Sequence, residues 1–212
     1  MLTCIALGPA PESLVRLVAD RPLEFEPGSE TEYSNTGYLV LGLVVEAVTQ
    51  QPLAQALQDR VFAPLHMADT SLGRGGPPDE RDVHGYAKDR DTTRTAVTEA
   101  GIADGGVVST VGDVNRFWQG LLAGELVSND TLDEMTTVTG SLDWADYGLG
   151  VAVRQTPCGT AYGHTGSILG YSVSAWALAD VDRAVVAMVN RNDDGYTQDF
   201  RETFAKTALC VA

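Results

Sequence analysis

Lysine is nearly absent from this chain: Lys88 and Lys206 are the only two among 212 residues. Gly85 and Thr203 stand three positions before them, so Ser-x-x-Lys occurs in no register. That removes the arrangement in which a lysine amine activates a serine hydroxyl one helical turn away. Basic residues number 14 against 29 acidic ones, a net charge of -15. Such a balance argues against nucleic acid or an anionic membrane surface as partner and reads most simply as solubility. No apolar run approaches the ~20 residues needed to span a bilayer. The most apolar stretch, Leu39 to Val45, is short and flanked by Thr36 and Glu46. Met1 to Leu7 has no basic n-region and no long apolar core, so no signal peptide is expected there. His66, His84 and His164 are scattered, and Cys4, Cys158 and Cys210 show no metal-ligand spacing, so neither a metal nor another cofactor is expected.

What is present is ordinary globular material, 44% hydrophobic and 20% charged, enough for one domain over 1–212 with a sizeable core. Pro11 to Ala19 reads as a helix with proline in its first turn. Thr36 to Thr49 reads as a strong helix. Leu39, Leu43 and Ala47 form one row and Val40, Val44 and Val48 the next, a pattern so apolar that the helix is expected to be largely buried. A further helix is expected from Pro52 to Phe62, stopping before Pro64. Residues 71 to 100 are rich in Gly, Pro, Asp, Arg and Thr and read as a long irregular excursion. Ser109 or Thr110 is a natural cap for a helix carrying Val114, Phe117, Trp118, Leu121 and Leu122, with Gly124 as its stop. A short helix is expected from Ser128 to about Val138.

The last third changes character. Tyr147–Arg154, Ala161–His164, Tyr171–Leu178 and Ala184–Asn190 read as strands, and Asp180-Val181-Asp182 as a hairpin turn. A final helix is expected from Thr197 to Leu209. Helices first, then an antiparallel sheet, then a helix make an α+β fold.

Two short motifs carry chemistry. Tyr33-Ser34-Asn35 precedes the apolar helix, and His164-Thr165-Gly166 lies on a strand 131 positions further on. Either alone is weak evidence: Tyr33 could pack or cap, Asn35 is a natural N-cap, and a lone His is more often a surface or partner-bonded residue. Together with "PGSETEYSNTGYLVLGLVVEAVT", "VFAPLHMADTSL", "GGVVSTVGDVNRFWQGLL", "YGLGVAV" and "YGHTGSILGY", the chain resembles the serine D-alanyl-D-alanine carboxypeptidases and class C β-lactamases over nearly its whole length. The His form of the third motif is similar to the secreted carboxypeptidase branch and to some related esterases.

The resemblance implies acyl transfer through a serine ester, on D-Ala-D-Ala peptides or β-lactams, with no cofactor. It implies a β-lactamase-like domain without its first strands and nucleophile helix. Tyr33 matches the proton-carrying tyrosine, whose pKa a nearby cation can pull below about 10. Asn35 matches the amide that meets substrate and lysine. His164, if protonated, and Thr165 would hold a substrate carboxylate, and the Ser167 N–H matches an oxyanion donor. Gly166 would let substrate approach the strand closely. Ser34 and Ser167 lack the context of a nucleophile.

The resemblance further implies a Cys158–Cys210 disulfide, worth roughly 3–4 kcal/mol by chain entropy, and an exported or extracytoplasmic protein; two free thiols are the alternative. The Ser-x-x-Lys helix of the family precedes Tyr-x-Asn, and the close match of Tyr33, Asn35 and His164-Thr165-Gly166 makes a fragment of a longer protein the expectation over a short protein that has lost catalysis. Apolar surface left uncovered would then promote self-association. An inactive binding module for peptidoglycan or a partner chain, and an esterase on the same scaffold, stand as alternatives.

Overall fold

The computed structural model describes residues 10–73, 80, 82–95, 103–180, 183–191, 203, 204 and 207–210. Cys4, the Met1–Leu7 segment and Lys206 lie outside these, as do parts of the 71–100 excursion and most of the expected final helix.

Helix α1 spans Pro11–Arg16, shorter than expected, with its proline at the start. Helix α2 spans Asn35–Thr49. Its cap is Ser34, whose Oγ accepts the Gly37 N–H at 3.1 Å, and not Asn35. Helix α3 spans Leu53–Leu57 and continues as a single π-type turn over Gln58–Phe62, just before Pro64. The described residues of the 71–108 region include four two-residue strands: β1 (Ser71–Leu72) pairs β4 (Val107–Val108), and β2 (Tyr86–Ala87) pairs β3 (Arg90–Asp91). Helix α4 spans Val111–Leu122, with Thr110 Oγ1 accepting the Asp113 N–H, and ends at Gly124 with φ +76°. Helix α5 spans Asn129–Thr136 behind a Ser128 cap.

Six antiparallel strands follow. They are β5 (Gly140–Leu142), β6 (Ala145–Tyr147), β7 (Ala152–Thr156), β8 (Gly159–Ile168), β9 (Tyr171–Leu178) and β10 (Ala184–Val189), in spatial order β10-β9-β8-β7-β6-β5. The expected strand 147–154 is in fact the end of β6, a turn through Gly148–Val151 and the start of β7. Gly150 at φ +76° makes that turn, and the Gly148 N–H bonds the Val151 carbonyl at 2.8 Å. The β9–β10 hairpin pairs Ala184 with Ala177 through Val189 with Ser172.

The period of two along β9 divides the core. Ala175 and Ala177 meet Trp118 and Leu121 of α4. Trp176 and Leu178 face the other way, with Ala152, Ala161 and the fully buried Leu209. Thus helix and C-terminal segment cover opposite faces, an α+β architecture. Cys158 and Cys210 are joined, with Cα atoms 5.5 Å apart, which fastens the C-terminal segment to the β7–β8 turn.

α2 departs from expectation. Only Leu39 and Gly42 are buried, while Leu41 is 57% and Val48 78% exposed. Among the described residues α2 packs mainly on α1 and α3, and two short helices cannot cover an apolar surface that runs around most of its circumference.

Candidate active site

Sheet register builds the site. Tyr147 of β6 pairs with Ala152 of β7, and Ala152 pairs with Gly163 of β8. Tyr147 and the neighbour of Gly163, His164, therefore come together across one intervening strand. The approach of β8 to β9 is tight at this point: a Cβ on Gly163 would lie 2.6 Å from the Trp176 ring and collide with the Ala175 carbonyl. β7 begins opposite Gly163, so His164–Ile168 run on past it, paired only with β9 among the named strands.

The segment before α2 brings Tyr33 to this row. Its ring centroid lies 5.9 Å from His164, 5.5 Å from Tyr38 on the first turn of α2, and 6.4 Å from Tyr147. Trp144, in the β5–β6 turn, lies 5.3 Å from the imidazole, edge to face. Arg154 holds that turn: its Nε and Nη2 donate to the Trp144 carbonyl at 3.2 and 2.8 Å, and its guanidinium lies 4.6 Å from the Trp176 ring centroid.

Hydroxyls join these rings. Tyr38 Oη and Tyr147 Oη are 2.6 Å apart, and Tyr147 Oη is 2.8 Å from His164 Nε2. His164 Nδ1 is 2.6 Å from the Thr165 carbonyl oxygen. A carbonyl only accepts, so Nδ1 carries a proton. Burial pushes the His164 pKa below its ordinary 6.5, against a smaller opposing effect of the Thr165 bond. Burial, with Tyr38 and Asp104 adding to it, raises the Tyr33 phenol. Burial and then the Tyr38 hydrogen bond raise Tyr147 strongly. The expected lowering of Tyr33 by a cation is thus reversed: the rings around it are Tyr38, Tyr147 and His164.

Of the residues singled out from the sequence, Tyr33 and His164 meet directly. Asn35 is the exposed first residue of α2. Thr165, Gly166 and Ser167 continue β8, opposite Ser174, Val173 and Ser172. Gly166 has a packing reason for lacking a side chain, since a Cβ there would lie 2.9 Å from Val173 Cγ1. Ser167 Oγ is 3.4 Å from Ser172 Oγ. Tyr38, Trp144 and Tyr147 complete the cluster. Tyr147 opens the YGLGVAV stretch, but only the strand register brings it to His164, and Tyr38 lies on the first turn of α2, three positions after Asn35. A depression of about 350 Å³ opens beside the cluster, lined among others by Glu32, Tyr33, Tyr38, Leu41, Leu142 and Tyr147. No three His, Cys, Asp or Glu side chains gather as metal ligands, and no helix is long and apolar enough to cross a membrane, among the described residues.

The described part of the 71–100 excursion docks beside the far end of β8. Tyr171 Oη donates to the Val83 carbonyl at 2.8 Å, and Thr92 Oγ1 donates to the Gly85 and Leu169 carbonyls.

The sequence profile of the family described as Beta-lactamase matches residues 5–208. Penicillin-binding protein 4* of Bacillus subtilis (strain 168) is 27% identical over 188 residues, 80% of this chain and 42% of that protein. The D-aminopeptidase of Brucella anthropi is 27% identical over 194 residues, 84% of this chain and 35% of that protein. The chain therefore spans less than half the length of these curated relatives. The crystal structure of a D-stereospecific amidohydrolase from Streptomyces sp. superposes with a TM-score of 0.81 at 27% identity, covering 96% of this chain and 62% of that one.

Proposed function

The chain belongs to the Beta-lactamase family, and from that premise we propose that it carries the substrate-recognition part of a serine acyl-transfer hydrolase for D-amino-acid peptides, amides or β-lactams. The observation that carries this reading is the meeting of Tyr33 and His164, from segments 131 positions apart, at 5.9 Å beside an open depression. Tyr33, Asn35, His164 and Thr165 meet the acyl donor, and the backbone of Ser167 contributes an oxyanion donor.

The acyl-enzyme step needs a serine hydroxyl with an adjacent base. No Ser-x-x-Lys is present in these 212 residues. The chain alone therefore binds without being acylated. This observation favours the second reading as well, a non-catalytic binding module for peptidoglycan stems. The Cys158–Cys210 disulfide supports an extracytoplasmic setting for either. An NMR titration of the chain with N-acetyl-D-alanyl-D-alanine amide tests the recognition role. Saturable shifts of Tyr33 and His164 signals, abolished in Tyr33→Ala, are expected; an unmoved His164 at millimolar ligand contradicts the proposal.

A further inference from the structure

The hydroxyl chain Tyr38–Tyr147–His164 has a consequence for what this site can hold. The Thr165 carbonyl accepts a hydrogen bond from Nδ1–H, so a neutral His164 presents a bare Nε2. The Tyr147 hydroxyl must then donate to Nε2, and the Tyr38 hydroxyl to the Tyr147 oxygen. Among the described residues, the rings that face the imidazole are uncharged: Tyr33 from the segment before α2, Trp144 from the β5–β6 turn, and Tyr147 from β6, with Tyr38 of α2 behind it. Of the charged groups near the cluster, Arg154 is engaged with the Trp144 carbonyl and the Trp176 ring, and the two beside Tyr33 are acidic. Glu32 lines the depression, and Asp104 is close enough to raise the Tyr33 phenol. A carboxylate brought here would meet a neutral imidazole and two acids rather than a cation.

We infer that Tyr147, backed by Tyr38, is a positioning residue that holds His164 as the uncharged Nδ1–H tautomer, and that the site takes acyl donors whose departing group is an amide or ester without a carboxylate. The inference rests on the recognition role proposed above and narrows its substrate class. It departs from the expectation that a protonated His164 grips a terminal carboxylate.

Long-range 1H–15N correlation NMR on the purified chain tests the positioning role, with His164 signals assigned by their loss in His164→Gln. At pH 7 Nδ1 should read as the protonated nitrogen and Nε2 as the bare one. Tyr147→Phe should shift the population toward Nε2–H and move the His164 titration midpoint upward, and Tyr38→Phe should do so to a smaller degree. A dominant Nε2–H form or an imidazolium at pH 7 in the unmodified chain overturns the inference, and needs no variant to fold. The substrate class is tested by titrating N-acetyl-D-alanyl-D-alanine against its C-terminal amide at pH 7.5. The amide should bind about fivefold more tightly, the scale of one partly exposed charge interaction. A free acid that binds as tightly as the amide overturns this inference and leaves the recognition role standing. Failure of both ligands to bind overturns the recognition role itself.

Discussion

Replacing Asp113 with alanine should cost the fold about 3–5 kcal/mol. The carboxylate sits in the first turn of α4 and is 2% exposed. Its Oδ2 accepts the Asp69 N–H at 2.9 Å and the Thr70 hydroxyl at 2.8 Å, fastening the loop that enters β1 to the helix. Hydrogen bonds to a charged acceptor contribute about 1.5–3 kcal/mol each, and alanine removes both. Thr70 Oγ1 keeps Ser109 Oγ at 2.7 Å, which limits the loss. The Arg116 contact at 2.6 Å adds little, because that side chain is 54% exposed and exposed pairs contribute about 0–1 kcal/mol. Asn at this position keeps the shape and one acceptor oxygen, so Asp113→Asn should lose about half as much. Urea unfolding followed by tryptophan fluorescence reads both, since Trp118 lies buried on the same helix. The midpoints should fall with unchanged m-values. Losses below about 1 kcal/mol for both variants would refute the assignment of Asp113 as the tie between α4 and the 69–70 loop.

Three further outcomes are expected. Replacing both Cys158 and Cys210 with serine opens a loop whose ends lie 52 positions apart, and should cost about 4 kcal/mol in thermal or urea unfolding; an unchanged midpoint contradicts this. The Asp91 carboxyl, held at about 2 by hydrogen bonds from Thr93 and then His84, lies below its unfolded value, so its stabilisation is complete above pH ~4 and is lost as pH falls toward ~2. Carboxyl NMR titration should show this, with Thr93→Ala moving the midpoint back toward 3.8. The exposed face of α2 should make the chain associate with rising concentration in sedimentation velocity, and Leu41→Lys with Val48→Glu should suppress it; a monodisperse monomer at all concentrations is the contrary result.

Much of the scaffold was legible in the residues. Ser128 and Thr110 mark helix starts through side chains that accept a backbone N–H, and the alternation along β9 separates its two buried faces. Local chemistry sufficed in each case. The burial of α2 was not legible, because periodicity tells which positions are apolar and not whether other elements cover them. The turn through Gly148–Val151 was misread as strand because Tyr147, Leu149, Val151 and Val153 alternate with smaller residues; Gly150 at positive φ breaks the run. In the site, Tyr33 and His164 stood out through their motifs. Tyr147, Trp144 and Tyr38 did not, since their roles depend on strand register and on hydroxyl contacts between elements far apart in sequence. The tyrosine pKa was misjudged for the same reason: its sign depends on whether a cation or other phenols surround the ring.

The most direct test of the account is incubation of the purified chain with a fluorescent penicillin, followed by anisotropy and by intact-mass measurement. A recognition site without a nucleophile predicts an unchanged mass, with any binding fully reversible. One acyl adduct on the chain would contradict it, and would mean that a serine among these 212 residues is activated without a lysine three positions on.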